Sequence, residues 1–517
     1  MSSIIARVVI VGGGTAGWIT AGTIAAQHQR ENGQGLEITL VESPNVPIIG
    51  VGEGTWPTMR NTLKKMGVRE TDFIRECNVA FKQGARFSRW HTGKPDDYYY
   101  HPLVLPQGFH TANLAPQWLE DSAGLSFSKA VCPQEYLCER GLAPKQITTP
   151  EYAALANYAY HLNAGTFSKF LQKHCTEKLG VRHVLDDVTQ VNSAANGDIA
   201  SVSTKAHGDL AGDLFIDCTG FKSLLLGEHL GVPFRSCKDV LFVDTALAVQ
   251  VPYASEDSPI ASHTISTAQD AGWIWDIGLS TRRGVGHVYS SAHTTEERAR
   301  EQLSAYLRPE VENPDLLSTR KIPINPGHRT RFWEKNCVAV GLSAGFLEPL
   351  EASALLLVEI SAAMIAEQFP VNRQAMDIIA RRFNDTFLYR WDRIIDFLKL
   401  HYLLSERTDN AFWVDNRDPA SVPDSLQELM TLWQYHHPWH DDFDRAVEVF
   451  PAASYQYVLY GMGFKTEPGH LGMSGRSREV ARQYLQRNEA QTRQLLDSLP
   501  GNRELLNKIH KYGLQQI

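Results

Sequence analysis

Val8-Val9-Ile10-Val11-Gly12-Gly13-Gly14-Thr15-Ala16-Gly17-Trp18 is the stretch on which the fold turns. A β-branched run from Ile4 to Val11 breaks into three glycines and continues as a helical pattern, Trp18 to Ala26. A second apolar run, Leu36 to Val41, then closes on Glu42. Strand, glycine turn, helix and strand in that order begin a parallel α/β sheet. In Gly12-x-Gly14-x-x-Gly17, Gly12 permits the tight turn and Gly14 lets a pyrophosphate approach the backbone. Gly17 permits close helix–strand packing. The helix start at Thr15 and Ala16 supplies N–H donors and the positive end of the helix dipole. Glu42 is placed to accept from a ribose hydroxyl, which favours an unphosphorylated adenosine. With strand, helix and carboxylate all in register, the glycines read as a dinucleotide site.

Outward from this unit, Asp213 to Asp217 and Cys337 to Val340 read as further buried strands, and Val181 to Val191 and Ile199 to Lys205 as strands. Tyr152 to Gly180 reads as helices. Alternation over Val240 to Tyr253 and His263 to Tyr289 predicts an antiparallel sheet. A helix is expected from about Leu350 to Glu367. Beyond Asn372 nearly everything reads as helical, with Trp391, Trp413, Trp433 and Trp439 spread among polar faces. The fold class is α/β with an inserted antiparallel sheet and a helical C-terminal part. The expected division is a discontinuous nucleotide-binding module (1–95, 150–240 and 320–390), substrate-side sheet and loops (96–149 and 241–319) and a helical substrate module (391–517).

Composition narrows the function. The 517 residues carry 50 Lys+Arg against 58 Asp+Glu, a net charge of -8, without a basic block. That argues against nucleic acid or an anionic membrane as the main partner. Seven scattered cysteines read as free thiols in a reducing compartment, and the N-terminus lacks a signal-peptide pattern. The apolar stretch Leu355 to Ile365 is interrupted by Glu359 and is too short to span a bilayer. A cytoplasmic location is expected. Gly341-Leu342-Ser343-Ala344-Gly345 matches a hydrolase nucleophile elbow. An α/β-hydrolase, however, has no use for the N-terminal fingerprint. His436-His437-x-x-His440-Asp441-Asp442 reads as a solvated loop around Pro438, so no metal centre is expected.

Two further stretches select the nucleotide. Leu214-Phe215-Ile216-Asp217-Cys218-Thr219-Gly220 resembles the second strand–turn signature of FAD-dependent oxygenases, and Asn336 to Gly345 resembles the strand that brings the flavin's middle to a helix N-terminus, which implies a Rossmann-like FAD-binding flavoprotein monooxygenase fold. Within that frame the chain resembles the flavin-dependent tryptophan halogenases. The motifs, in family order, begin with Gly12 to Trp18, the flavin strap Ile48 to Thr55, and Val79-Ala80-Phe81-Lys82-Gln83-Gly84. Then come Trp273-Ile274-Trp275-Asp276-Ile277-Gly278 against W-x-W-x-I-P and Leu347-Glu348-Pro349-Leu350-Glu351-Ala352-Ser353 against E-P-L-E-S-T. Phe412-Trp413 and Asn416-Arg417 close the series.

The resemblance implies an enzyme in which FAD, supplied reduced as FADH2 by a separate NADH-dependent flavin reductase, works with O2 and chloride or bromide to give hypohalous acid. Lys82 would direct the electrophile onto an electron-rich carbon of a small aromatic substrate, indole- or tryptophan-like. Glu351 would stabilise the cationic ring or take its proton. FAD would lie against Gly12, Gly14, Thr15, Ala16, Gly17, Glu42, Gly52, Glu53, Val188, Leu342 and Leu355. Halide would meet the N–H groups of Ser353 and Ala354, and His101, Trp273 and Trp275 would line the substrate pocket. A homodimer is the family expectation.

Read from the residues alone, Lys82 fits a snorkelling surface lysine, Glu351 a first-turn carboxylate, and the two tryptophans plain core packing. The chain also departs from the family. Gly278 replaces the motif proline, which raises local backbone freedom, and Ala352-Ser353-Ala354 replaces Ser-Thr-Gly at the halide position, which favours bromide if the pocket widens. The residues that clamp the backbone of free tryptophan find no match, so a free indole is as good a candidate. The competing reading is an aromatic hydroxylase built on the same nucleotide fingerprint.

Overall fold

The computed structural model describes residues 4–28, 35–46, 52–467 and 472–516. Residues 48–51 of the strap therefore lie outside the described residues. The chain forms two compact units. Unit 1 comprises Met1–Val79, Leu162–Cys237 and Asn325–Trp391; unit 2 comprises Ala80–His161, Lys238–Ile324 and Asp392–Ile517.

Unit 1 is built on a six-stranded sheet in the order Trp333–Glu334, Cys337–Ala339, Leu214–Asp217, Arg7–Val11, Glu37–Glu42, Arg182–Leu185. All pairings are parallel except that of the edge strand Trp333–Glu334. Val8 pairs with Leu214 on one side and Ile38 on the other. Such central strands are covered on both faces, which is why they are almost continuously apolar rather than alternating. The helix Thr15–Gln27 is apolar nearly all round for the same reason, packing on the helices Ser353–Glu367 and Ala164–Lys178. The mixed α/β architecture with a Rossmann-like parallel sheet is as the sequence predicts.

Unit 2 holds a seven-stranded sheet ordered Thr319–Pro323, Thr245–Pro252, Arg282–Tyr289, Gly272–Gly278, Thr264–Gln269, Gly84–Ser88, Tyr98–Pro102. It is antiparallel apart from the pairing of Thr264–Gln269 with Gly84–Ser88. The period of two puts Leu247, Val249, Val251, Ile274, Val285 and Tyr289 on one face, against Ala299, Leu303 and Leu307 of the helix Glu296–Leu307. The alternation then turns Trp273 and Trp275 to the opposite face. The helices of this unit include Asp424–Trp433, Ala452–Gly461, Gly475–Ser498 and Asn502–Tyr512.

Three local expectations are corrected. Ala159–Leu162, read as helix, is a strand paired antiparallel with Ala80–Lys82. Its aromatic residues pack better on a pleated surface, and the helix starts only at Ala164, capped by the Asn163 side chain. The helix expected from Leu350 begins at Ser353, because Glu351 and Ala352 adopt left-handed backbone angles. Trp391, Trp413 and Trp433 are buried rather than placed on polar faces. The large rings find core contacts that single-residue polarity patterns do not show.

Candidate active site

The nucleotide end of unit 1 is assembled where the parallel strands finish, the place where open α/β sheets hold ligands. Gly12 has φ +113°, and a Cβ there would come within 2.2 Å of the Cys218 carbonyl oxygen, so the first and second nucleotide turns lie against each other. A Cβ on Gly17 would meet the Gly12 carbonyl at 1.9 Å, which is the close helix–strand approach its position demands. At Gly13 a Cβ would fall on the Glu42 carboxylate, so Glu42 lies over the glycine turn. His183 Nε2 stands 2.9 Å from Glu42, and the amide of Gln172 is 3.1 Å from His183 Nδ1. Val188 opens the strand that follows Arg182–Leu185, the strand whose end pairs with Glu42.

The helix Thr15–Gln27 starts at an extended Gly14 with no side-chain cap and no acidic residue in its first turn. A Cβ on Gly14 would meet nothing within 4 Å. The helix start is thus uncrowded beside Gly14 and uncapped at the positive end of its dipole, which fits a pyrophosphate, and Glu42 fits a ribose. The Gly341–Ser343 turn, which contains Leu342, lies against this helix start, since a Cβ on Gly341 would come within 2.7 Å of the Ala16 methyl. Ser343 is buried, and its hydroxyl donates to the backbone carbonyls of Asp217 and Val340, an anchor for this turn. Leu355 is buried in the helix Ser353–Glu367. Burial pushes the Glu53 carboxyl up to about 7.

Asp217 is a site-shaping residue that reading by motif did not single out. Its carboxylate accepts from Thr219 N at 3.0 Å, Thr219 Oγ1 at 2.6 Å, and the N–H groups of Leu225 and Leu226, both at 2.8 Å. The signal was a lone acid ending the apolar strand Leu214–Ile216.

Glu351 (φ 62°) and Ala352 (φ 54°) are consecutive non-glycine residues in the left-handed region. Ser353 then begins a 15-residue helix with no side-chain cap and no acid in its first turn. Its opening N–H groups, those of Ser353 and Ala354, have the chemistry to hold a small anion. Trp56 donates its indole N–H to the Glu351 carbonyl oxygen at 2.9 Å. Nearly two turns further along the helix, Glu359 accepts from Thr62 at 2.7 Å and Thr58 at 3.3 Å, and burial pushes its carboxyl up to about 8.

In unit 2, Lys82 is only 3% exposed. It ends the strand Ala80–Lys82, and the register that pairs Lys82 with Ala159 and Ala80 with His161 puts Lys82 and His161 on one face. His161 Nε2 lies 2.8 Å from the Thr264 hydroxyl. Burial, and next the charge of Lys82, holds His161 well below the usual histidine range. The buried, cationic character of this strand face is opposite to that of a solvated surface lysine.

Trp273 and Trp275 are 1% and 7% exposed with ring centroids 6.4 Å apart. Trp90 lies 6.1 Å from Trp273, and Trp275 lies over Gly286, where a Cβ would collide with the indole. Gly278 pairs with Arg283, and Ile260 and Tyr253 crowd the place of its missing side chain. His101 is buried, with Nε2 2.9 Å from the Ser454 hydroxyl and its ring beside Phe397 and Tyr457. Of the candidates, Gly12 to Gly17, Glu42, Gly52, Glu53, Val188, Leu342, Glu351, Ser353, Ala354 and Leu355 belong to unit 1. Lys82, His101, Trp273 and Trp275 belong to unit 2. Among the described residues no group of three or more His, Cys, Asp or Glu side chains is placed to hold a metal.

Comparison with known proteins completes the assignment. Residues 7–474 match the tryptophan halogenase family model. The crystal structure of a tryptophan halogenase from Shewanella frigidimarina NCIMB 400 is 50% identical, superposes with a TM-score of 0.97, and the match covers 100% of this chain and 99% of that one. Tar14, a tryptophan C-6 flavin-dependent halogenase from taromycin biosynthesis, is 34% identical with a TM-score of 0.90, over 98% of this chain and 99% of that one. Tryptophan 6-halogenase SttH from Streptomyces toxytricini is 34% identical over 88% of this chain and 89% of its own. These likenesses do not favour the aromatic-hydroxylase reading. The chain belongs to the tryptophan halogenase family and is a flavin-dependent halogenase.

Proposed function

We propose that this enzyme halogenates an electron-rich aromatic of the indole class through Lys82. Bound reduced FAD, with O2, supplies the oxidising power that turns chloride or bromide into hypohalous acid. Gly12, Gly14, Thr15, Ala16 and Gly17 offer the pyrophosphate a bare helix start, Glu42 takes the ribose, and Gly52, Glu53, Val188, Leu342 and Leu355 contribute to the remaining contacts. The N–H groups of Ser353 and Ala354 hold the halide by donation and dipole. The Lys82 ammonium donates a hydrogen bond to the hypohalous oxygen, making the halogen more electrophilic, and fixes where the electrophile is delivered. The Glu351 carboxylate stabilises the cationic ring and accepts the proton lost as aromaticity returns. Trp273, Trp275 and His101 shape the substrate side.

The observation that carries this reading is the burial of Lys82 on a strand face beside a histidine kept neutral. A lysine head removed from water in this way is there for what it binds. The same reading divides the chain into a discontinuous FAD module (1–95, 150–240 and 320–390), substrate-side sheet and loops (96–149 and 241–319) and a helical module (391–517). It also takes a separate NADH-dependent reductase as the electron source, and places a homodimer in the cytoplasm. Among the described residues no helix is long and apolar enough to cross a membrane.

The test incubates the full chain with FAD, an NADH-driven flavin reductase, O2, bromide and indole, and reads products by mass spectrometry. Bromoindole is expected from the native enzyme. Lys82→Met is expected to leave less than about 1% of it, the loss of a positioned proton donor being worth roughly 10²- to 10⁴-fold, while bromination of a freely diffusing hypohalous-acid trap continues. Bromoindole formed by Lys82→Met at the native rate would refute the role of Lys82.

A further inference from the structure

We propose that Trp56 is a positioning residue for the halide: its indole N–H holds the Glu351 carbonyl and so fixes the turn that aims the Ser353 and Ala354 N–H groups. The inference rests on reading those two N–H groups as the halide site. A helix that begins after two left-handed, side-chain-bearing residues is anchored on an unfavourable backbone, and such a conformation persists only where its surroundings over-determine it. Hydrogen bonds from inside and outside the turn contribute here. Ala352 N donates to the Pro349 carbonyl at 3.1 Å within the turn, and Trp56 Nε1 donates to the Glu351 carbonyl at 2.9 Å from outside it.

Trp56 is itself held. It and Pro57 lead directly into the helix Thr58–Lys65, with Met59 N bonded to the Trp56 carbonyl at 3.1 Å. That helix is tied to the helix Ser353–Glu367 by Thr62 and Thr58 donating to Glu359. The Trp56 donor therefore approaches the Glu351 carbonyl from a frame already docked on the helix whose start it defines. If the donor is lost, the Glu351 carbonyl loses this hold from outside the turn and its peptide group can tilt. The first N–H vectors of the helix then swing with it, whereas the glycine turn at Gly12 to Gly17 opens a different helix, Thr15–Gln27. Halide affinity should thus fall while flavin affinity stays.

The experiment compares the full-length enzyme, Trp56→Phe and Ser353→Asp. Chloride affinity of the resting protein is read by chloride-NMR line broadening, flavin affinity by fluorescence titration, and the bromide KM and kcat with indole as the assay substrate. Trp56→Phe keeps the ring and removes the donor. A loss of chloride affinity and a rise in bromide KM of about five- to tenfold are expected, the net effect of one hydrogen bond, with kcat at saturating bromide and flavin affinity unchanged. Ser353→Asp puts a carboxylate where the halide would sit and should abolish chloride binding. If Ser353→Asp weakens chloride binding and Trp56→Phe does not, Trp56 is idle and the proposal falls while the halide site stands. If neither variant changes chloride affinity, the halide site lies elsewhere and both fall. Should Trp56→Phe fail to fold, Trp56→His carries the test, since it retains a ring N–H: near-native chloride affinity supports the proposal, and a tenfold loss overturns it.

Discussion

Glycine at position 13 is required by a carboxylate rather than by backbone angles. Its φ is ordinary, yet any Cβ there would occupy the place of the Glu42 side chain, so the smallest substitution must displace the group proposed to take the ribose. Gly13→Ala is therefore expected to fold and to purify without flavin, losing at least about tenfold in FAD affinity, the scale of one charge-assisted hydrogen bond. Fluorescence titration with FAD checks this, and native affinity in the variant would show that Glu42 does not touch the cofactor. At the same scale Lys82 shows how little a residue's type says of its setting. Lysine heads normally reach water, and only the pairing of Ala80–Lys82 with Ala159–Leu162 reveals that this one does not.

At the scale of elements, the helix Ser353–Glu367 is apolar on all sides and would be unremarkable but for its start and for Glu359 in its middle. Burial raises that carboxyl to about 8, while in the unfolded chain it titrates near 4.5. Below pH 4.5 both states hold the proton. Between 4.5 and 8 only the native state does, so this group's contribution is lost progressively as pH rises, by up to about 1.4 kcal/mol per pH unit. Glu359→Gln retains an acceptor for Thr62 without the titration. It should be more stable than the parent at pH 7.5 by roughly 1–3 kcal/mol and indistinguishable at pH 4.5, as measured by thermal unfolding at both values. Equal stability at pH 7.5 would mean that Glu359 ionises without penalty. In unit 2 the strand Gly272–Gly278 makes the comparable point about sheets. Its alternation sends Ile274 to the helix-covered face and the two tryptophans to the other, and Gly286 across the ladder provides the room for Trp275. Gly286→Val should displace that indole and be seen as a change in near-ultraviolet circular dichroism, with the sheet signal retained.

At the scale of the whole molecule, buried histidines and buried acids respond to pH in opposite senses. Unit 2 buries His161, His263 and His287 and half-buries His437, all held below the usual histidine range mainly by loss of solvation, His263 to about 3, and His287 and His437 to about 4. Below pH 6.5 the unfolded chain takes up these protons and the native one does not, so stability falls as pH drops toward 4. Each histidine contributes up to about 1.4 kcal/mol per pH unit. Glu53 and Glu359 of unit 1 and Asp396 of unit 2 have instead raised values, which cost stability toward neutral and alkaline pH. The expected result is a thermal midpoint that declines steeply between pH 6 and 4, with the decline shallower by one proton in His263→Asn. A midpoint flat to pH 4 would show that these rings protonate in place.

Sequence by itself determined the parallel sheet, its glycine turn and the family motifs. Those depend on neighbours in the chain: a β-branched run, glycines where the backbone must turn or be approached, and an acid at the next strand's end. It also made the alternation of Trp273 and Trp275 legible, because side-chain period is a local property of a strand. What only the tertiary structure decided are the relations between distant segments. The strand at Ala159–Leu162 exists because Ala80–Lys82 is there to pair with it. The left-handed angles at Glu351 and Ala352 hold in a setting where Trp56, nearly three hundred residues earlier, caps the turn from outside. The burial that neutralises His161 and raises Glu359 is likewise assembled from several elements at once. Desolvation is a property of the surroundings, and no stretch of chain carries its own.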